Sequence, residues 1–211
     1  GNTSNLQGMT SSQSASSGSV SGAALTLVAN SLTAAKNSTF GTTNYAKGAA
    51  NAKIGSYVLT ASSAEGANVS NLTITTSASS TDFQNLRVMV GSNSFGTTKT
   101  TLGGADIVTF SGSSPIVIAA GGSATVDVYA DALSSASQGT KTILTTLTSC
   151  VGTGASTYSS VSCSPTSVSG QNVAIAGAPT FTVTGASSPA AKQIIAGTTG
   201  NDLAVFSFTD T

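Results

Sequence analysis

From Ala24 onward, apolar residues recur at every second position in short runs, and each run is cut by Gly, Pro, Asn or Ser. Successive residues of a strand point to opposite faces, so period-two alternation marks a half-buried strand and excludes an amphipathic helix, whose apolar residues return at i, i+3, i+4 and i+7. The runs are Leu25–Val28, Ile54–Ala61, Val69–Thr76, Leu86–Val90, Ile107–Phe110, Ile116–Ile118 behind Pro115, Thr125–Ala130, Thr142–Thr148, Asn172–Ala176 and Thr180–Thr184. In Thr125–Ala130 the pattern sends Val126, Val128 and Ala130 inward, and Asp127 and Tyr129 outward. Gly91-Ser92-Asn93 and Gly121-Gly122 read as turns, and Gly41–Asn51 as a loop. Proline opening the Ile116 strand is tolerated because no ladder donor is needed there. Strands this short, separated by turn signals roughly every 8–15 residues, predict an all-β sandwich. Asp131–Ser137 is compatible with one helical turn, Asp131 serving as its N-cap.

The chain also repeats itself. Leu25–Lys36 and on to Gly41-Thr42-Thr43 aligns without a gap to Phe181–Lys192 and on to Gly197-Thr198-Thr199. After an insert in the first copy, Tyr45–Asn51, the match resumes with Ile54–Thr60 over Leu203–Thr209. A long fixed period is the mark of a tandem array. The expected organisation is a Ser-rich flexible linker or stalk over residues 1–22, a complete sandwich over 23–176, and the first strands of a second copy over 177–211. No leader pattern opens the sequence; export would require its removal ahead of Gly1.

Charge is scarce. Seven basic and seven acidic residues give a formal net charge of zero, and charged residues make up 7% of the chain, against about 25% in ordinary globular domains. Ser and Thr fill about a third of it. The 39% hydrophobic content and a mean hydropathy of +0.22 allow a core of Val, Ile, Leu and Ala, unlike a charge-rich disordered chain. Without a basic patch the chain offers no footprint for nucleic acid. No apolar run approaches the ~20 residues that cross a bilayer as a helix, so no membrane insertion is expected in this segment.

One stretch carries a resemblance. Ile116-Val117-Ile118-Ala119-Ala120-Gly121-Gly122 leads into Ser123-Ala124-Thr125-Val126-Asp127-Val128-Tyr129-Ala130-Asp131-Ala132, then Ser134-Ser135-Ala136 and Gly139-Thr140. An apolar strand thus passes through a Gly turn to an alternating strand ending in Asp, then to a Ser/Ala segment and a Gly. This is similar to the long immunoglobulin-like β-sandwich repeats of bacterial cell-surface proteins, notably those of ultrasmall candidate-phylum bacteria. Ala190-Ala191-Lys192 through Phe208 resembles the opening of the same repeats. The resemblance covers roughly Ala24 onward. It implies an immunoglobulin-like antiparallel sandwich, tandem copies on an exported chain, and no enzyme residues.

The chemistry-bearing residues are few. Cys150 and Cys163 are the two cysteines, flanking a Gly/Ser/Thr-rich hairpin or excursion with Tyr158 inside it. Two Cys without a His cannot complete a four-ligand zinc site, and no Cys-x-x-Cys is present, so a structural disulfide is expected, with it an oxidising, extracellular setting. A serine nucleophile needs a base; the chain has no His, and no Ser-x-x-Lys selects a lysine. No catalytic, cofactor or metal site is therefore expected. Asp127 and Asp131 are the candidate pair of carboxylates for acid–base work or Ca²⁺, but one faces out of a strand and the other begins a turn, so no shared site is expected. Lys53 or Lys141 could enter a Lys–Asn isopeptide cross-link, though no spacing selects either. Four sequons make Asn2, Asn37, Asn68 and Asn71 candidate glycosylation sites.

Two strands alone are marginal in water. Residues 177–211 would leave Phe181, Val183, Leu203, Val205, Phe206 and Phe208 uncovered beside a bare strand edge. These six are the expected inter-domain or subunit interface. Either the chain continues into a full repeat, or another copy adds strands to the sheet. The expected function is a non-catalytic structural protein of the cell surface: a fibre, pilus-like filament or surface-layer array. Its partner is other copies of itself, with a glycan or host receptor as a further candidate. The alternative is an adhesin or carbohydrate-binding module on a repeat stalk. That alternative has no Trp and four tyrosines to draw on, with Tyr45 and Tyr158 in loops and Tyr57 expected in the core.

Overall fold

A computed structural model describes residues 21–24, 29–137, 142–176 and 181–210. The expected strand at Leu25–Val28, the linker over residues 1–20, the sequon at Asn2, and Gly139 and Lys141 lie outside the described residues. The strands are β1 (Leu32–Lys36), β2 (Thr43–Tyr45), β3 (Ala52–Ala61), β4 (Ala67–Thr76), β5 (Phe83–Val90), β6 (Asn93–Thr101) and β7 (Ile107–Ile118). They continue with β8 (Ser123–Ala132), β9 (Thr142–Gly154), β10 (Ser160–Ser164), β11 (Val168–Ile175), β12 (Phe181–Gly185) and β13 (Phe206–Asp210). A short 3-10 turn, Ala78–Asp82, joins β4 to β5.

The first eleven strands make a two-layered all-β sandwich. One layer runs β1-β3-β8-β5-β6; in the other, β4 pairs with β7 and β9, and β9 with β11, which carries β2 at the far edge. The layers join along one side through β10. Its first residues pair antiparallel with β9 and its last two run parallel to β1, with Leu32 opposite Cys163. The link removes two bare edges at once. Most ladders are antiparallel; β1–β10 and β2–β11 are the parallel exceptions.

Alternation places the core as the sequence predicts. Val126, Val128 and Ala130 of β8 are buried, as are Val69, Leu72 and Ile74 of β4 and Tyr57 of β3. Tyr57 is completely covered and shares a 2.9 Å hydrogen bond with the Thr145 hydroxyl. Burial pushes its phenol up to about 12. Other details differ from the sequence expectation. Ile107–Phe110 and Ile116–Ile118 are one strand, and Pro115 sits inside it, in the stretch between Ser111 and Ile116 where the register against β4 shifts and no ladder partner is present. β6 carries no apolar alternation in Asn93–Thr101 and is held by pairing to β5. β2 interrupts the expected Gly41–Asn51 loop, held by β11. Asp131 does not cap a helical turn. It remains in β8, and its carboxylate is taken up by Asn51 in the turn before β3 and by Asn85 and Arg87 of β5.

β12 and β13 form a separate antiparallel hairpin. Its register repeats that of β1 and β3: Leu32 pairs with Ala61 and Lys36 with Tyr57, while Phe181 pairs with Asp210 and Gly185 with Phe206. Every partner in the hairpin lies 149 residues beyond its counterpart. The same offset of 149 lays Ile54–Thr60 over Leu203–Thr209, while Leu25–Val28, the expected counterpart of Phe181 and its neighbours, lies outside the described residues.

Candidate functional site

A cluster of exposed apolar side chains lies on the β12–β13 hairpin. Alternation and pairing place Phe181, Val183, Phe206 and Phe208 on one of its faces. The rings of Phe181 and Phe208 stack with centroids 5.6 Å apart. Phe181 is 66% exposed and Phe208 64%, whereas their counterparts in the sandwich, Leu32 and Leu59, are 1% and 0% exposed. Leu203 precedes β13 and lies off this face, although it too is exposed. Val205 ends the ladder, its carbonyl accepting the Ala186 N–H at 2.8 Å. Four of the six expected interface residues are therefore brought together.

Cys150 and Cys163 form a disulfide between β9 and β10, with Cα atoms 5.3 Å apart and both side chains buried. The excursion between them is a hairpin. Its turn is held by Glu65, which reaches across from the β3–β4 connection. Glu65 Oε1 accepts the N–H groups of Ser156 and Thr157, each at 2.6 Å, and Oε2 accepts the Thr157 hydroxyl at 3.0 Å. Those donors hold the Glu65 carboxyl below the usual carboxylate range, the Thr157 N–H contributing most. Gly154 allows the approach: a Cβ there would stand 2.6 Å from Glu65 Oε2 and from Asn30 Nδ2. The cleft beside this clamp measures about 530 Å³ and is lined by Asn30, Ala64, Glu65, Thr157, Ser159 and Ser160. Tyr158, within the same turn, is 75% exposed and has a left-handed φ of 56°.

A second polar cluster was not legible from sequence. Asp131 Oδ1 accepts the Asn51 N–H at 2.8 Å and an Arg87 guanidinium N–H at 3.1 Å, and Oδ2 accepts from Asn85 Nδ2 at 2.8 Å. Arg87 also donates to the Asn51 side chain and to the Asn85 carbonyl. Asn51 and Asn85 both adopt positive φ, 56° and 57°, where Asn is the best tolerated residue after Gly. Burial raises the Asp131 carboxyl, but the Asn51, Asn85 and Arg87 hydrogen bonds and the Arg87 charge outweigh it and hold it below its ordinary value. Asp127 belongs to a different group: it pairs with Lys53 Nζ at 2.8 Å and accepts the Ser56 hydroxyl at 2.6 Å. Phe40 lies over the same ammonium, 5.2 Å from ring centroid to Nζ.

The two aspartates thus have separate cationic partners and do not build a shared carboxylate site. Among the described residues no three His, Cys, Asp or Glu side chains gather to hold a metal ion. No helix among them is long and apolar enough to cross a membrane. Of the sequon asparagines, Asn37 donates its side-chain N–H to Ser56 Oγ while its Oδ1 accepts from Thr39. Asn68 and Asn71 are half-buried within β4. Tyr45 is half-buried, its hydroxyl accepting the Lys53 N–H at 3.0 Å. It is thereby engaged in the sandwich rather than displayed.

No protein-family model matches the chain, and no curated protein matches it. Among solved structures it is similar to the seventh ScaB type I cohesin from Pseudobacteroides cellulosolvens. The identity is 10%, the match covers 70% of this chain and 94% of that one, and the TM-score is 0.36. A likeness at that level carries no functional weight, and the sandwich stands on the strand pairing described above.

Proposed function

We propose that this chain is a non-catalytic structural protein of the cell surface, in which β-sandwiches follow one another in an extended array. The observation that carries the proposal is the β12–β13 hairpin, which repeats the β1–β3 register while leaving uncovered the face that β1 and β3 bury. On this reading residues 177–211 are the opening of a second sandwich, and 23–176 are the complete first one. The hairpin has two ladder edges to fill. By analogy with β3 and β1, β13 takes an antiparallel strand like β8 and β12 a parallel one like β10. The strands come from continuation of the chain or from another copy by strand addition. A disulfide buried within the sandwich suits an oxidising extracellular setting.

The test is sedimentation of the 1–211 chain against Phe206→Asp/Phe208→Asp. The parent should self-associate with rising concentration, and the variant should lose that association while the sandwich keeps its melting temperature. A parent that stays monomeric to about 100 μM, in the affinity range of weak protein contacts, would overturn the hairpin as a joining element. A separate chain ending at residue 176 should fold alone. Adhesion to a glycan is the competing reading, and the exposed Tyr158 beside the Glu65 cleft is what favours it. Glycan-array binding abolished by Tyr158→Ala would establish it in place of a purely structural role.

A further inference from the structure

The first and last strands of the sandwich run side by side in the same direction. β10 and β11 both pair antiparallel with β9, first at Thr153–Val151 and then at Leu147–Thr142, so they are successive parts of one line. β1 and β2 follow that line. Leu32 and Thr33 pair parallel with Cys163 and Ser164, and Thr43, Asn44 and Tyr45 pair parallel with Val173, Ala174 and Ile175. Two further bonds fill in the contact. The buried Gln171 donates from Nε2 to the Asn37 carbonyl at 2.8 Å, and the Ala176 N–H donates to the Tyr45 carbonyl at 2.8 Å. The two parallel ladders of the sandwich thus join the line by which the chain enters to the line by which it leaves.

This arrangement fixes how tension acts. The chain enters β1 at Leu32, beside Cys163, and leaves β11 at Ile175, at the far end of the same line. A pull on the two ends of the sandwich draws β1 and β2 one way along their axis and β11 the opposite way. Ladder hydrogen bonds bridge the gap between strands, so this load shears them, and pairs along the whole line must give together. β1 is held in shear on its other side as well, by the five pairs from Leu32–Ala61 to Lys36–Tyr57 with β3. The disulfide adds to the hold: Cys163 stands opposite Leu32 and is tied to Cys150 of β9, so β10 cannot peel away with β1. The β12–β13 hairpin is loaded in the opposite sense. Phe181 pairs with Asp210, so its two ends are neighbours, and a pull opens the ladder from that end one pair at a time.

We infer that the β1-β2 line and the β10-β11 line form a shear clamp that keeps the sandwich folded against tension along the chain. Had the first and last strands been antiparallel neighbours, both ends would leave at one end of the sandwich, and a pull would unzip them as it unzips β12–β13. Resistance of this kind depends on the direction of the pull and on the strands in its path, not on global stability alone. The use of the clamp rests on the array reading above, in which each sandwich passes load to the next. The clamp itself belongs to residues 32–176 and uses no residue of the hairpin.

Single-molecule force spectroscopy of the full chain, tethered at Gly1 and Thr211, tests the clamp. Two events are expected. The hairpin opens first, and the sandwich yields at a force at least about threefold higher, because several pairs share its load. Length identifies the sandwich event. An unfolded chain gains about 3.5 Å per residue. The loop closed by Cys150 and Cys163, with a separation of 13, withholds roughly 40 Å of that gain until reductant is added. Thr43→Pro and Asn44→Pro, made in turn, remove the β2 donor of either alternation phase, and one of the two should lower the sandwich force by about a third or more. Thr98→Pro, in the edge strand β6 off the load path, should leave that force unchanged. A sandwich that yields at the force of the hairpin, or β2 and β6 prolines that act alike, would overturn the inference. If a β2 proline variant does not fold by circular dichroism, Gln171→Leu, which removes the bond to Asn37, takes its place under the same criteria. Sedimentation of the hairpin variant decides the joining role alone, since force is read on one molecule.

Discussion

Removing the Cys150–Cys163 disulfide should lower the stability of the sandwich by about 3 kcal/mol. The bond closes a loop with a sequence separation of 13, and chain entropy assigns a loop of that size about 3 kcal/mol through the unfolded state. The location supports a cost of that full size. The bond ties β9 to β10, and β10 is the strand that joins the two layers through β1. Both cysteines are buried in the common core, so Cys150→Ala/Cys163→Ala also removes two small apolar groups from a packed site. With an m-value of about 2 kcal/mol/M in urea, the midpoint should fall by about 1.5 M. At about 2–4 °C per kcal/mol for a domain of this size, melting should drop by about 6–12 °C. The assay is urea unfolding followed by circular dichroism and Tyr fluorescence, with and without reductant, alongside the double-alanine variant. An unchanged midpoint would refute both the loop-closure estimate and the role of β10 as a joint. A shift in the variant without one in the reduced protein would assign the effect to packing alone.

Three further outcomes follow from the geometry. Gly152→Ala should cost about 3 kcal/mol or more, because a Cβ there would stand 2.1 Å from the Asn68 carbonyl oxygen and 2.7 Å from Val69 Cα, both in the β4 backbone; chemical denaturation of the folded variant measures it, and a loss under about 0.5 kcal/mol would contradict the close approach of β9 to β4. Arg87→Ala should cost about 1–2 kcal/mol, allowing for the partial exposure of the ion pair, with a smaller loss for Arg87→Lys, which keeps the charge but not the forked donors. Stability should be flat from neutral pH to about 5 and fall through the acid range. Glu65 and Asp131 have folded values below their ordinary 4.5 and 3.8, so the unfolded chain takes up their protons first and the stabilisation fades as pH descends to the folded values. Glu65→Gln should flatten that slope, and a slope identical to the parent's would remove Glu65 from the clamp.

Period-two alternation by itself determined β3, β4, β5, β8, β9 and β11, because an apolar residue at every second position can be buried only by a pleated strand. It also determined the inward set of β4 and β8 and the burial of Tyr57, while the cysteine count pointed to the disulfide that Cys150 and Cys163 form. It did not reveal β6, whose Ser and Thr carry no pattern and whose extended backbone is set by its partner β5. Nor did it reveal β2, three residues held by β11. Glu65 and Asp131 looked like two carboxylates among seven until the fold brought donors to them from about 90 and 80 residues away along the chain. The segregation of charge belongs to tertiary structure in the same way. Along the chain Lys53, Arg87, Asp127 and Asp131 are scattered among neutral strands. Only the order in which β1, β3, β8, β5 and β6 pair gathers every strand charge of the sandwich into one layer and leaves the other bare.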